Sequence, residues 1–143
     1  MADEMEFVYA TQVDVGGSDG SLGSGAFSST EGTALASPNH YDYPMADFVL
    51  TCVFAAAVAA GAVVNLYRQD LEILPGQTAP LPSATYKHTH VGVFPVHSLG
   101  AIYPCNDVPL SKNCRFFIEN ATTQTLAADW DLLATPKTFK PGA

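Results

Sequence analysis

The dominant hydrophobic period along this chain is two, the spacing that places alternate side chains on one face of a strand. Phe7, Tyr9, Gln12 and Val13 begin a strand that fails at Gly16 and Gly17. Ala46–Phe54 and Val63–Ile73 predict two further strands, the second closed by the turn signal Pro75-Gly76. Alternation breaks around Tyr67 and Arg68, which predicts a bulge near Arg68. Gln77–Ser83 holds Pro80 and Pro82 and reads as an extended connection. His90–Val96 is the next strand, and Pro95 places it at an edge or ends it there. Ala101–Tyr103 predicts a short strand, Asn106–Leu110 a loop, and Cys114–Asn120 and Trp130–Thr135 the last two strands; Pro136, Pro141 and Gly142 mark a tail.

Strands recurring this often, with no helical period held for three turns, predict an all-β protein: an antiparallel β-sandwich or jelly roll. The stretch from Gly16 to Pro44 is rich in Gly, Ser, Thr, Ala and Pro, too poor in apolar area to offset the ordering of its backbone, and reads as a long loop or extended N-terminal arm that is flexible unless a neighbour holds it. The expected organisation is one domain, with an N-terminal strand and flexible arm over residues 1–45 and a sandwich core with a short C-terminal tail over residues 46–143. The run Phe48–Val64 is apolar at every position but Thr51. Its alanines and Gly61 favour two adjacent core strands joined by a small-residue turn over a membrane helix.

Charge divides the chain. The first 67 residues contain no Lys or Arg and eight acids, whereas from Arg68 onward six acids meet six bases, so the net charge of −8 belongs to the N-terminal half. Nucleic acid is a poor partner, since phosphate binding needs clustered cations. Charged residues make up only 14% of the chain, below the usual quarter, which leaves more surface to be covered and favours assemblies. The acidic N-terminus lacks the basic and apolar regions of a signal peptide, so synthesis in a cytoplasm is expected. Cys52, Cys105 and Cys114 are odd in number and form no C-x-x-C, which favours reduced thiols, although Cys105 and Cys114 could pair across a loop.

Few residues invite chemistry. His88 and His90 share a strand face, but no third ligand stands at a suitable spacing, so no metal or other cofactor is expected; a cupin-like metal enzyme would need an added acid. No nucleophile elbow is present, and the glycine-rich residues 20–25 lack the Lys-Ser/Thr ending of a phosphate loop. Asp129 and Asp131 share a face but flank Trp130, which packs in a core or, with Tyr103 or Tyr86, stacks on a sugar. Asn120-Ala121-Thr122 matches the glycosylation sequon, expected to go unused without a secretory signal. No catalytic residue is identified.

The series Asp47-Phe48-Val49-Leu50-Thr51, Ala59-Ala60-Gly61, Val64-Asn65-Leu66-Tyr67, Gly92-Val93-Phe94-Pro95-Val96, Val108-Pro109-Leu110 and Phe116–Thr122 resembles the small cement or decoration proteins of tailed bacteriophages, over roughly residues 46–136. The resemblance is one of strand rhythm. It implies a non-enzymatic virion protein, made in the bacterial host cytoplasm, that sits on the capsid exterior and bridges neighbouring major capsid subunits as a homodimer or homotrimer. No membrane is involved. Arg68, Lys87, Lys112, Arg115, Lys137 and Lys140 are then the candidate cationic contacts to the capsid or to other copies. The alternative is a carbohydrate- or receptor-binding sandwich of a phage tail or fibre, with aromatic residues exposed in its loops.

Overall fold

A computed structural model describes residues 5–16, 20–28, 33–36, 43–71, 80, 83, 85, 88–97, 99–111 and 113–141. The strands are β1 (Met5–Tyr9), β2 (Val13–Asp14), β3 (Leu35–Ala36), β4 (Met45–Val53), β5 (Val63–Asp70), β6 (Thr89–Pro95), β7 (Gly100–Pro109), β8 (Asn113–Asn120) and β9 (Asp131–Pro141). There is no helix among the described residues, and so none long and apolar enough to cross a membrane.

Two antiparallel sheets result, a five-stranded one in the order β1-β9-β4-β7 with β2 also on β9, and a four-stranded one in the order β3-β8-β5-β6. Pairing is nested: β5 with β6, β4 with β7, β3 with β8, and β1 and β2 with β9. A single long antiparallel ribbon folded over in this way, consecutive pairs falling in alternate sheets, is a jelly roll. The all-β sandwich expected from the period of two is therefore present. Its core lies between the sheets, where Phe48, Leu50, Leu66, Phe94, Phe116, Ile118 and Leu132 are sealed from solvent and the Phe48 and Phe116 rings meet at 4.6 Å. Gly92 on β6 permits the closest approach, since a Cβ there would come within 2.5 Å of Cys105 Sγ on β7.

Several expectations need correction. Within residues 1–45 the described parts are held by the fold: β1, β2 and β3 are members of the two sheets, and residues 20–28 lie across one end of the sandwich. There Leu22 bridges Leu126, Phe27 bridges Glu119, Ser28 N donates to Ile118 O, and Trp130 Nε1 donates to Gly20 O at 2.9 Å. The apolar area that this stretch lacks comes from the β8–β9 connection. Residues 17–19, 29–32 and 37–42 lie outside the described residues. Phe48–Val64 does not hold two adjacent strands either, since β4 and β5 belong to different sheets.

The expected loop at Asn106–Leu110 lies largely within β7, because a bulge opposite Asp47 absorbs the break with Asp107 at φ 60°. The expected bulge near Arg68 is not in β5, whose pairing with β8 runs unbroken from Val64 to Asp70; the extra residue is Val91 of β6, opposite the step from Leu66 to Tyr67. The expected tail is the second half of β9, and Pro136 sits inside that strand. In a strand the N–H and C=O of one residue point to the same neighbour, and Pro136 O accepts from Ala10 N. The missing donor of Pro136 thus faces residues 10–12, where β1 gives way to β2, and costs β4 nothing.

Candidate functional site

Alternation along β4, β7 and β9 fixes what each sheet shows to the outside. Ala46, Phe48, Leu50 and Cys52 point into the core, so Met45, Asp47, Val49, Thr51 and Val53 form the outer row of β4. Registered beside them are Asp131, Leu133, Thr135 and Lys137 on β9 and Ile102 and Pro104 on β7, with Asp14 of β2 beside Leu133. Phe7 and Tyr9 extend this face through their pairing with Phe139 and Lys137. Ile102 is 68% exposed, Val53 54%, Tyr9 53%, and Phe7 and Phe139 45% each. Among the described residues these large apolar side chains are left uncovered on one sheet face, an arrangement common at interaction surfaces.

Asp14 and Asp131 interrupt this face, and so does one charged cluster. Lys137 is 4% exposed, its ammonium 2.7 Å from Asp47 Oδ1, also paired with Asp107 Oδ1, and 4.6 Å from the centre of the Phe7 ring. The β7 bulge makes this possible by turning Asp107 toward Asp47, whose Oδ1 accepts the Asp107 N–H at 3.0 Å. Burial by itself pulls the Lys137 pKa down, but the hydrogen bonds and charges of Asp107 and Asp47 outweigh it and hold the pKa above the ordinary lysine value. The cation is therefore fixed and met within the chain.

The other candidate cations stand apart. Arg68, at the opposite end from residues 20–28, donates through Nε to Asp70 at 2.7 Å and through Nη1 to Pro109 O at 2.8 Å, tying one sheet to the other. Arg115 is half-buried on the outer side of β8, opposite Gln69. Lys87 and Lys112 lie outside the described residues, as does the side chain of Lys140, whose backbone pairs with Glu6. The six cations do not form a common patch among the described residues. What brings a site together is the apolar row, which the sequence signalled only by exposed alternation in Phe7, Tyr9 and Phe139.

The remaining motifs find structural roles. Trp130 is 1% exposed and Tyr103 2%, so neither can stack on a sugar, and Tyr86 lies outside the described residues. Asn120 of the sequon is fully buried; its Nδ2 donates to Leu22 O and Gln124 O, and its Oδ1 accepts from Thr122 N and Oγ1. It is a tie between two connections, inaccessible to glycosylation in the folded chain. His88 Nε2 lies 2.7 Å from Pro80 O and His90 Nε2 3.2 Å from Asn65 Oδ1. Among the described residues no group of three His, Cys, Asp or Glu could hold a metal ion. The three cysteines are free thiols, and burial raises the pKa of each, that of Cys52 to about 11, so they stay protonated at neutral pH.

A small open cleft of about 430 Å³ lies where β1 gives way to β2, lined by Tyr9, Ala10, Thr11, Val13, Tyr43 and Pro136. No protein-family model matches the chain, and no curated protein or solved structure shows significant similarity to it.

Proposed function

We propose that this is a structural, non-enzymatic protein that binds the outside of a tailed-phage capsid and stabilises it by bridging neighbouring major capsid subunits. The observation that carries the reading is the open apolar face of the five-stranded sheet, with Ile102, Val53, Phe7, Tyr9 and Phe139 all exposed. Apolar sheet faces gain free energy when covered, at roughly 25 cal/mol per Å² removed from water. Docking there need not strand the buried cation, because Lys137 is already neutralised by Asp47 and Asp107, while Asp14 and Asp131 on the same face call for a cation or water on the partner's side. Binding to the assembled shell but not to its dispersed subunits adds to the stability of the shell by mass action. In this reading the protein is made in the bacterial host cytoplasm and carried on the capsid exterior.

Electron microscopy of the native particle, with copies counted, tests it. Hundreds of copies on the head, and loss of attachment for Ile102→Asp, are expected; a few copies at the tail would sink the capsid reading. The cleft at Tyr9 and Tyr43 favours a second reading, a carbohydrate- or receptor-binding module, because two phenol rings beside backbone groups suit a sugar ring. Titration with host surface polysaccharide tests that version, Tyr43→Ala being the variant expected to lose binding.

A further inference from the structure

A jelly roll leaves four sheet edges, and three of the four are blunted in this chain. β7 carries Pro104, Pro109 and the bulge at Asp107; β6 ends on Pro95 and is bulged against β5; β3 is two residues long. β1 differs. Its five residues contain no proline and no bulge, and they have none of the lysines that usually guard an edge, since the chain has no Lys or Arg before Arg68.

The register shows which backbone groups that edge offers. Ala10 N donates to Pro136 O, so Ala10 points toward β9, and by alternation Glu6 and Val8 do the same. The N–H and C=O of Phe7 and Tyr9 therefore point away from β9, and among the described residues nothing pairs with that side of β1. The Phe7 ring packs on Phe139 at 4.1 Å and lies 6.1 Å from Tyr9, so the free backbone edge is flanked by three exposed aromatic rings.

We infer that β1 pairs antiparallel with β1 of a second copy of this chain, about a two-fold axis at Phe7. In that register the Phe7 N–H donates to the Phe7 C=O of the second copy and the reverse, which uses the outward groups and leaves the pairing with β9 intact. The sheet then runs continuously through both copies. Side chains directly opposite lie on one face, so the two Phe7 rings meet with the Phe139 rings behind them. Glu6 falls opposite Val8 of the second copy rather than opposite Glu6, so no like charges are opposed in the pairing. This self-complementarity selects a second copy over an unrelated strand. Two chains of net charge −8 still repel at long range, and salt screens that repulsion.

Sedimentation equilibrium of the full chain, over a concentration series at 0.05 and 0.5 M NaCl, tests the inference. The expected result is a species of twice the 15.1 kDa chain mass, favoured at the higher salt. Tyr9→Pro removes one outward N–H without touching the β9 ladder and should weaken the dimer at least tenfold with the thermal midpoint of the monomer little changed. Phe7→Lys, which restores a guarded edge, should weaken the dimer as well, though it also lowers the monomer midpoint by losing the packing on Phe139 and setting a second ammonium near Lys137. Amide exchange of Phe7 and Tyr9 should slow as protein concentration rises. A monomer at every concentration and salt, a trimer, or a dimer unaffected by both substitutions would each overturn it.

Discussion

The two sheets of this jelly roll treat their outer faces in opposite ways. On the four-stranded sheet, Phe117 and Tyr67 point away from the core cluster yet are 0% and 6% exposed, and Gln69 beside them donates to Pro80 O at 3.1 Å. The connection between β5 and β6 comes over that face at Pro80, and Phe27 brings its ring to 5.8 Å from Tyr67. On the five-stranded sheet the corresponding row ends in solvent at Ile102, Val53 and Phe7. Alternation is the same on both; the difference is whether another part of the chain is long enough and placed to lie on top. A covered face contributes to folding, whereas an open one contributes nothing until something covers it.

The largest test of this contrast is a charge placed on each face. Phe117→Asp should cost about 3–5 kcal/mol, since it removes a buried ring and buries a carboxylate. Ile102→Asp should change the urea midpoint by no more than about 0.5 kcal/mol equivalent. Equal losses in urea melts of the two variants would erase the distinction.

Lys137 sharpens the comparison, being the one described cation on the open face and yet buried. Lys137→Met should cost about 1–3 kcal/mol, discounted because Asp107 is 67% exposed, and leaves Asp47 and Asp107 without a counter-charge. Its folded-state pKa is raised, so the stabilisation is complete below the unfolded lysine value of about 10.4 and is lost as pH rises through the higher folded value. Unfolding followed between pH 9 and 12 should therefore show an alkaline decline in the wild type that is smaller in the variant. A parallel decline in both would assign the effect to other groups.

Gly92 probes the seam between the sheets. Gly92→Ala drives a methyl into Cys105 Sγ and should cost about 1–3 kcal/mol, with part of the loss recovered in the double variant Gly92→Ala, Cys105→Ala. Additive losses in thermal melts would mean that the thiol is not what the methyl meets. The smallest effect belongs to the cover itself. Gln69→Ala removes one hydrogen bond to Pro80 and should cost about 1 kcal/mol, while Tyr67 becomes more accessible to solvent quenching. Unchanged accessibility of Tyr67 would show that the cover is held elsewhere.

Much of the architecture was legible in the residues. The period of two in Ala46–Phe54, Val63–Ile73 and Cys114–Asn120 determined strands, their inward faces and hence a sandwich, because burial on one side is a local consequence of alternation, although the second of these strands ends at Asp70. Charge was legible too, but only as composition. What the tertiary structure decided were relations between distant segments. Residues 20–28 look too polar to order, and they order because Leu126, Asn120 and Trp130, about a hundred positions away, supply the apolar and hydrogen-bonding partners. Pro136 looks like the end of a strand, and it continues one because the strand beside it is broken where the missing donor points. Lys137 looks like a surface contact, and it is buried because a bulge in β7 brings Asp107 to it. Which of two equally alternating sheets keeps an open face is the least local property of all, since it depends on where a connection comes to rest rather than on the strands it joins.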